Sequence, residues 1–152
     1  MTIYSYYRTS ELEASLEEEL LAAVLEPEML AIQTYCLRQS WFMTQTLSDS
    51  NCDWSREFFK REAGKELNSL LQAGDVILCS KLERICSSSH EVMNLLAKLK
   101  EKSVRLHIVE LGGDITNPEL FVNFAKVCEI FSALEKRKSA ERIKGVKQRQ
   151  RK

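Results

Sequence analysis

A short apolar run, Val76–Cys79 (VILC), follows the tripeptide Ala-Gly-Asp at residues 73–75. Four consecutive apolar side chains are typical of a strand that is buried on both faces, as the inner strands of parallel sheets are. The glycine before the run is a common signal for the end of a helix. We therefore predict a central strand at this position, preceded by a helix over residues 57–71.

Strands and helices are predicted to alternate on both sides of this run. β-prone segments predict further strands at Ile3–Arg8, Trp41–Leu47 and Val104–Val109. The other predicted helices cover residues 11–25, 28–38, 87–102 and 118–143, with Pro27 separating the first two, and loops are expected at 48–55 and 111–114. This order predicts an α/β fold: a mostly parallel sheet of four to five strands flanked by helices, with a long C-terminal helix.

Composition excludes several classes of protein. A chain of 152 residues with 44% hydrophobic and 29% charged residues is long enough for one domain with a real core, which excludes global disorder. We expect no membrane span, because the apolar runs look too short, and no signal peptide, because Glu17–Glu19 lie where its apolar region would be. The five cysteines form no CxxC pair and build no zinc motif with His90 and His107. We therefore expect reduced thiols in a cytoplasmic protein, with no metal and no cofactor.

Charge is segregated along the chain although its formal sum is +0. From Glu135 onward nine basic side chains face two acidic ones, so this segment carries +7 and the other 134 residues carry −7. A basic segment on an acidic body indicates a polyanionic partner such as DNA, whereas the alternative is a solvated tail.

The first predicted strand ends in a pattern that can carry chemistry. Tyr6, Arg8 and Ser10 alternate, and Ser10 directly follows the strand, at an edge where parallel sheets bind ligands. A serine in this place also serves commonly as the N-cap of the next helix. On its own, the pattern leaves both interpretations open.

Four motifs in order resemble the serine recombinases, the family of transposon resolvases and DNA invertases. The Tyr-x-Arg-x-Ser start at residues 6–10 is similar to the family's first motif, and residues 73–84 resemble its Gly-Asp strand followed by Lys-Leu-Asp-Arg. Residues 104–118 resemble its strand and Gly-Ile-Asp-Thr loop, and residues 133–142 resemble the charged half of its long last helix. Together the motifs cover nearly the whole chain.

The resemblance implies DNA strand exchange through a phosphoserine. Ser10 matches the nucleophile, which would attack a phosphodiester and remain bonded to the DNA 5′ end. A cluster of arginines, with no metal, would stabilise the charge of the transition state. By their positions, the other implied active-site residues are Arg8, Arg61 and Arg84, with Glu83 in place of an orienting aspartate and Tyr6 shaping the pocket.

The sequence departs from the family pattern at four places. Ser87 replaces an arginine, which removes a phosphate-binding cation, and Arg56 follows Ser55 where the family has glycine. An insertion within residues 11–27 leaves either Glu28 or Glu19 at the position of a family glutamine. Finally, we expect no helix-turn-helix domain after the long helix.

These features predict a catalytic core over residues 1–116, a dimerisation and DNA-contacting helix over 117–145, and a basic tail over 146–152. The expected partners are DNA, a second copy of the chain in a homodimer that could pair into a tetramer, and a separate sequence-reading protein, with no membrane. The expected setting is the nucleoid or a mobile element of a bacterium or archaeon. The DNA-contacting residues predicted are Lys136, Arg137, Lys138, Arg142, Lys144, Lys147 and Arg149.

Three functions remain open on the sequence. The first is a serine recombinase that cleaves and exchanges DNA strands. The second is a recombinase-like DNA-binding or regulatory subunit whose chemistry is impaired by the loss at Ser87. The third is an unrelated α/β domain in which Ser10 only caps a helix.

Overall fold

Strand β3 (Val76–Cys79) lies at the centre of a five-stranded sheet, as its apolar sequence predicts. The computed structural model describes residues 1–42, 45–117 and 127–137. The other strands are β1 (Ile3–Arg8), β2 (Gln45–Asp49), β4 (Arg105–Ile108) and β5 (Gly113–Asp114). Their order is β2-β1-β3-β4-β5, and all neighbours are parallel except β4 and β5. The predicted mostly parallel α/β fold is confirmed.

Alternate residues of β3 supply the cores of the two sheet faces. Ile77 and Cys79 pack on one face with α3 (Glu62–Leu70), α4 (Ser89–Lys102) and the last helix, which is described over residues 127–137. Val76 and Leu78 pack on the opposite face against α2 (Glu18–Gln39). The complete burial of these four side chains is the physical reason for the uninterrupted apolar run.

The prediction that Pro27 separates two helices is wrong. A four-residue helix, α1 (Glu11–Ala14), is followed by α2, which continues through Pro27 to Gln39. Pro27 has no N–H to donate to the carbonyl of Ala23, and both residues are exposed, so the proline lies on the solvent side of the helix. The break lies instead at residues 15–17, where the Ser15 hydroxyl donates to the Leu12 carbonyl at 2.6 Å.

Three further boundaries differ from those predicted. The second strand begins at Gln45 and not at Trp41, and residues 43–44 lie outside the described part of the chain. The helix predicted over residues 57–71 is interrupted at Arg61, which is extended between a 3₁₀ turn at Phe58–Lys60 and α3. The predicted loop at 111–114 contains β5, and residues 118–126 and 138–143 of the predicted last helix lie outside the described residues.

Gly64 allows the 3₁₀ turn to lie directly on the start of α3. A Cβ atom at this position would lie 1.7 Å from the carbonyl oxygen of Phe58. This close approach holds the 3₁₀ turn against the start of α3, with Arg61 between them.

Helix α2 is long and apolar enough to cross a membrane by length and composition, contrary to the expectation that apolar runs are too short. This is weak evidence, because the core helix of a soluble protein passes the same test. Ile32, Tyr35 and Cys36 of α2 pack against the sheet, and Glu28 is buried in its middle.

All five cysteines are free thiols. Burial raises the pKa of Cys79 to about 12, so this thiol stays neutral within the core.

Candidate active site

The predicted site residues on β1 and after β3 meet at the carboxyl edge of the sheet. Because β1 and β3 are parallel neighbours, Arg8 at the end of β1 lies beside the 3₁₀ turn at Leu82–Arg84 that follows β3. Arg8, Arg61 and Arg84 are all buried, with exposed fractions of 5%, 0% and 8%. Three buried guanidinium groups in one cluster are unusual, because arginine is almost never fully buried unless it is paired.

Arg84 donates all five of its N–H groups to hydrogen bonds. Its Nε donates to Oε1 of Glu28 (3.0 Å) and its Nη2 to Oε2 of the same carboxylate (2.7 Å). On the other side, Nη1 and Nη2 donate to Oε1 and Oε2 of Glu13 at 2.6 and 3.0 Å, and Nη1 also donates to the carbonyl of Arg8 at 3.1 Å. Burial lowers the pKa of Arg84, but these bonds outweigh burial and raise it above its ordinary value.

Glu28 is one of the two positions that the sequence left open for the family glutamine. Its carboxylate is buried, and besides Arg84 it accepts a hydrogen bond of 2.5 Å from the hydroxyl of Ser80. Glu19, the other position, is exposed on the first turn of α2. The structure therefore brings Glu28 into the site, and it does so because α2 continues through Pro27.

Glu13 is a site residue that the sequence reasoning missed. Partial burial raises the pKa of Glu13, but hydrogen bonds from Arg84 and Ser10 outweigh this effect and hold the pKa at about 2. The sequence did carry one signal: Ser10 and Glu13 have the S-x-x-E spacing of a capping box at the start of a helix. The bond to Arg84, 71 residues away, has no such local signature.

Ser10 is the N-cap of α1 and forms that capping box. Its Oγ accepts a hydrogen bond from the N–H of Glu13, and its own N–H donates to Oε1 of Glu13, both at 3.1 Å. The sequence offered a cap and a nucleophile as alternative roles for Ser10. Capping is compatible with nucleophilic attack, since the hydroxyl is half-buried and only accepts in the capping bond.

A surface cavity of about 620 Å³ opens beside Ser10. Its lining includes Leu12 of α1 and Asn51, Cys52 and Trp54 of the loop after β2. Ser10 is therefore accessible to a ligand from the surface of the protein.

Arg61 is held mainly by the backbone. Its Nε donates to the carbonyl of Arg56 (2.9 Å), and its Nη1 donates to the carbonyl of Arg84 (2.7 Å) and to the hydroxyl of Tyr6 (3.1 Å). A longer bond of 3.4 Å runs from Nη2 to the carbonyl of Trp54. Arg61 thus connects the loop after β2 to the turn after β3.

Tyr6 and Asp49 extend this network along the sheet edge. The Tyr6 hydroxyl donates to Oδ2 of Asp49 at 2.8 Å, and Oδ1 of Asp49 accepts from the N–H of Ala63 at 2.8 Å. Burial raises the pKa of Tyr6, against the opposing effect of Arg61, so the phenol stays protonated. Asp49 was not predicted as a site residue, because only its register opposite Arg8 places it here.

One buried nitrogen of the Arg8 side chain has no hydrogen bond within the described part of the chain. Its Nη1 donates to the carbonyl of Cys52 (3.0 Å) and its Nη2 to the carbonyl of Glu83 (3.4 Å), whereas its buried Nε has no partner among the described residues. Burial, and then the charges of Arg61 and Arg84, lower the pKa of Arg8. An anion bound at Nε would accept a hydrogen bond from this nitrogen and would raise the pKa of Arg8 again.

Comparison with known proteins decides the family. Residues 3–152 match the family described as "Resolvase, N terminal domain". The chain belongs to this resolvase family. No curated protein sequence matches it.

Solved structures of recombinases share the fold. The N-terminal catalytic domain of TP901-1 integrase is similar with a TM-score of 0.59 at 14% identity, covering 92% of this chain and 98% of that one. A resolvase family site-specific recombinase from Streptococcus pneumoniae is similar with a TM-score of 0.55 at 16% identity, covering 100% and 99%. At these identities the likeness establishes the fold alone.

Ser87 and Arg56, the two positions expected to depart from the resolvase pattern, have local roles in this chain. Ser87 donates through both its N–H (2.7 Å) and its hydroxyl (2.9 Å) to Oε2 of Glu91, in the first turn of α4. The side chain of Arg56 is exposed, and its carbonyl is the group that accepts from Arg61.

Glu83 lies at the edge of the arginine cluster. Its carboxylate pairs with Nη2 of Arg137 at 3.8 Å, while Arg84 uses all its donors elsewhere. This ion pair joins the site to the last helix. Lys136 and Arg137 are exposed there. The other predicted DNA-contacting residues, Lys138, Arg142, Lys144, Lys147 and Arg149, lie outside the described part of the chain.

Proposed function

We propose that this protein cleaves and rejoins DNA strands in site-specific recombination, with Ser10 as the nucleophile. The observation that carries the proposal is the cluster of three buried arginines at the sheet edge where Ser10 begins α1. Guanidinium groups match the oxygens of a phosphodiester, and burial strengthens their interaction with charge that develops during the reaction. Membership of the resolvase family and the recombinase fold support the same function.

The proposed reaction proceeds in two steps, cleavage and rejoining of a DNA strand. Ser10 Oγ attacks phosphorus and loses its proton, the P–O3′ bond breaks, and the electron pair leaves on O3′, which takes up a proton. The 5′ end is then held as a phosphoserine ester. After the ends exchange, a 3′ hydroxyl attacks phosphorus, the ester to Ser10 breaks and the serine is regenerated, so no external energy source is required.

Covalent trapping tests this function directly. The protein is incubated with a supercoiled plasmid that carries the DNA bordering its own gene, and the reaction is stopped with denaturant. We expect protein attached to DNA 5′ ends with wild type and no adduct with Ser10→Ala. Ser15→Ala, which changes an exposed serine at the end of the same short helix, is the matched control and should retain the adduct. An adduct that still forms with Ser10→Ala would contradict the assignment of Ser10 as the nucleophile.

The second candidate function is a DNA-binding or regulatory subunit with impaired chemistry. The observation that favours it is Ser87, which bonds to Glu91 where the family has a phosphate-binding arginine. Under this alternative wild type binds DNA without forming an adduct, and Ser87→Arg restores one. Under the first proposal wild type forms the adduct, and Ser87→Arg raises its rate by roughly tens- to hundreds-fold at most.

The proposed reaction requires DNA and more than one copy of the chain. The partners are DNA and a second copy of the chain, and two such dimers pair into a tetramer when two sites are joined. Exposed Lys136 and Arg137, with the basic residues that follow, contact phosphates. The protein acts in the cytoplasm, where chromosomal and mobile-element DNA lies.

A further inference from the structure

Arg84 has no N–H group left for DNA. A guanidinium group has five N–H donors, and all five are used by Glu28, by Glu13 and by the carbonyl of Arg8. A phosphate can therefore bind Arg84 only by taking the place of one of these acceptors.

The two carboxylates differ in how firmly they are held. Glu28 lies in the middle of a 22-residue helix, its side chain is 7% exposed, and Ser80 donates a further bond to it. Glu13 lies on a four-residue helix with no buried residues, and its side chain is 19% exposed. Glu13 is the acceptor that can leave without disturbing the core.

One oxygen of the Glu13 carboxylate lies where two hydrogen-bond donors of the site converge. Oε1 accepts from Arg84 Nη1 at 2.6 Å and from the N–H of Ser10 at 3.1 Å. A backbone N–H and a guanidinium donor that converge on one anionic oxygen, on the residue that carries the hydroxyl nucleophile, have the arrangement of an oxyanion site.

We propose that the Glu13 carboxylate closes the site as a stand-in for the scissile phosphate, and that DNA binding displaces it from Arg84 and from the N–H of Ser10. This inference rests on the proposed function, because it assigns the vacated donors to the phosphate that Ser10 attacks. Glu13 itself touches no DNA in the reacting state; it acts only by occupying the donors of Arg84 and Ser10 until DNA binds. Its displacement makes Arg84 and the N–H of Ser10 available in a single movement, so the donors of the site become free together.

The test compares Glu13→Gln with Glu11→Gln. Both remove one negative charge from α1, and a glutamine at position 13 preserves the capping box, so the variants differ in the ion pair to Arg84. The probe is inorganic phosphate, titrated while the Nε–H of Arg84 and the amide of Ser10 are followed by NMR. We expect Glu13→Gln to bind phosphate about tenfold more tightly than Glu11→Gln, with both signals shifting.

Three results would overturn the proposal: equal phosphate affinity in the two variants, weaker binding by Glu13→Gln, or no binding to Glu13→Gln at all. Weaker binding is the result expected if Glu13 only holds Arg84 in place. In wild type, phosphate binding that shifts Arg84 but leaves the Ser10 amide unchanged would contradict the joint release.

The phosphate titration needs no strand cleavage, so it separates this inference from the proposed function. Tighter phosphate binding by Glu13→Gln without any DNA adduct in wild type would count against the recombinase reaction and leave the displacement intact. The opposite result is also informative. If wild type forms the DNA adduct, and Glu13→Gln and Glu11→Gln form it at the same rate at limiting DNA, the displacement alone is contradicted.

Discussion

Arg61 and Arg84 are neighbours in one cluster but are held by different kinds of acceptor. Arg61 donates to the carbonyls of Arg56, Trp54 and Arg84 and to the hydroxyl of Tyr6. Arg84 donates to two side-chain carboxylates and one carbonyl. A carbonyl moves only with its backbone, whereas a carboxylate moves by side-chain rotation. Arg61 is therefore a fixed part of the fold, whereas Arg84 has one partner, Glu13, that can be exchanged.

Replacing the fixed arginine should have the largest effect on stability. Arg61→Ala removes the donor to the buried carbonyl of Arg84 and to the buried hydroxyl of Tyr6, and it opens a cavity, so we expect a loss of about 3–5 kcal/mol in the free energy of unfolding. Arg56→Ala is the matched control, because it removes an exposed side chain but keeps the carbonyl that accepts from Arg61, and it should cost about 0.5 kcal/mol or less. Urea unfolding measures both, and a similar cost for the two variants would contradict the fixed role of Arg61.

Features that depend on neighbouring residues could be predicted from the sequence. The apolar run of β3 is a local signal of burial on both faces, and the alternation of strands and helices then leads to the mostly parallel sheet. The motif residues Arg8, Ser10 and Arg84 were also visible, because the sheet topology brings strand ends to one edge.

Contacts between distant side chains could not be predicted. The bonds from Arg84 to Glu13 and Glu28 span 71 and 56 residues, and the second depends on a helix that continues through Pro27. A proline usually indicates the end of a helix, whereas this proline lies on the exposed side of a continuous helix. Glu83, the residue expected to orient the cluster, pairs instead with Arg137 for an equally non-local reason.

The two carboxylates on Arg84 should differ in their contribution to stability. Glu28→Gln leaves a buried guanidinium with one anionic partner and points an amide at its donors, so we expect a loss of about 2–3 kcal/mol. Glu13→Gln acts on a partly exposed pair and should cost about 1 kcal/mol or less. Equal costs in urea unfolding would contradict the assignment of Glu28 as the permanent partner and Glu13 as the exchangeable one.

The smallest expected effect is the pH dependence of the stability that the ion pair between Glu13 and Arg84 contributes. The pKa of Glu13 falls from 4.5 to about 2 on folding, so the unfolded chain binds the proton more readily than the folded protein does. The stabilisation is therefore complete above pH 4.5 and is lost as the pH falls towards 2; after screening by solvent we expect it to be about 1 kcal/mol. In urea unfolding, wild type should exceed Glu13→Gln by this amount at pH 7, and the two should converge near pH 2. Glu11→Gln makes the same change in charge without an ion pair to Arg84, so it controls for the general effect of charge. A constant difference between wild type and Glu13→Gln across this range would show that the carboxylate is not held by Arg84 in solution.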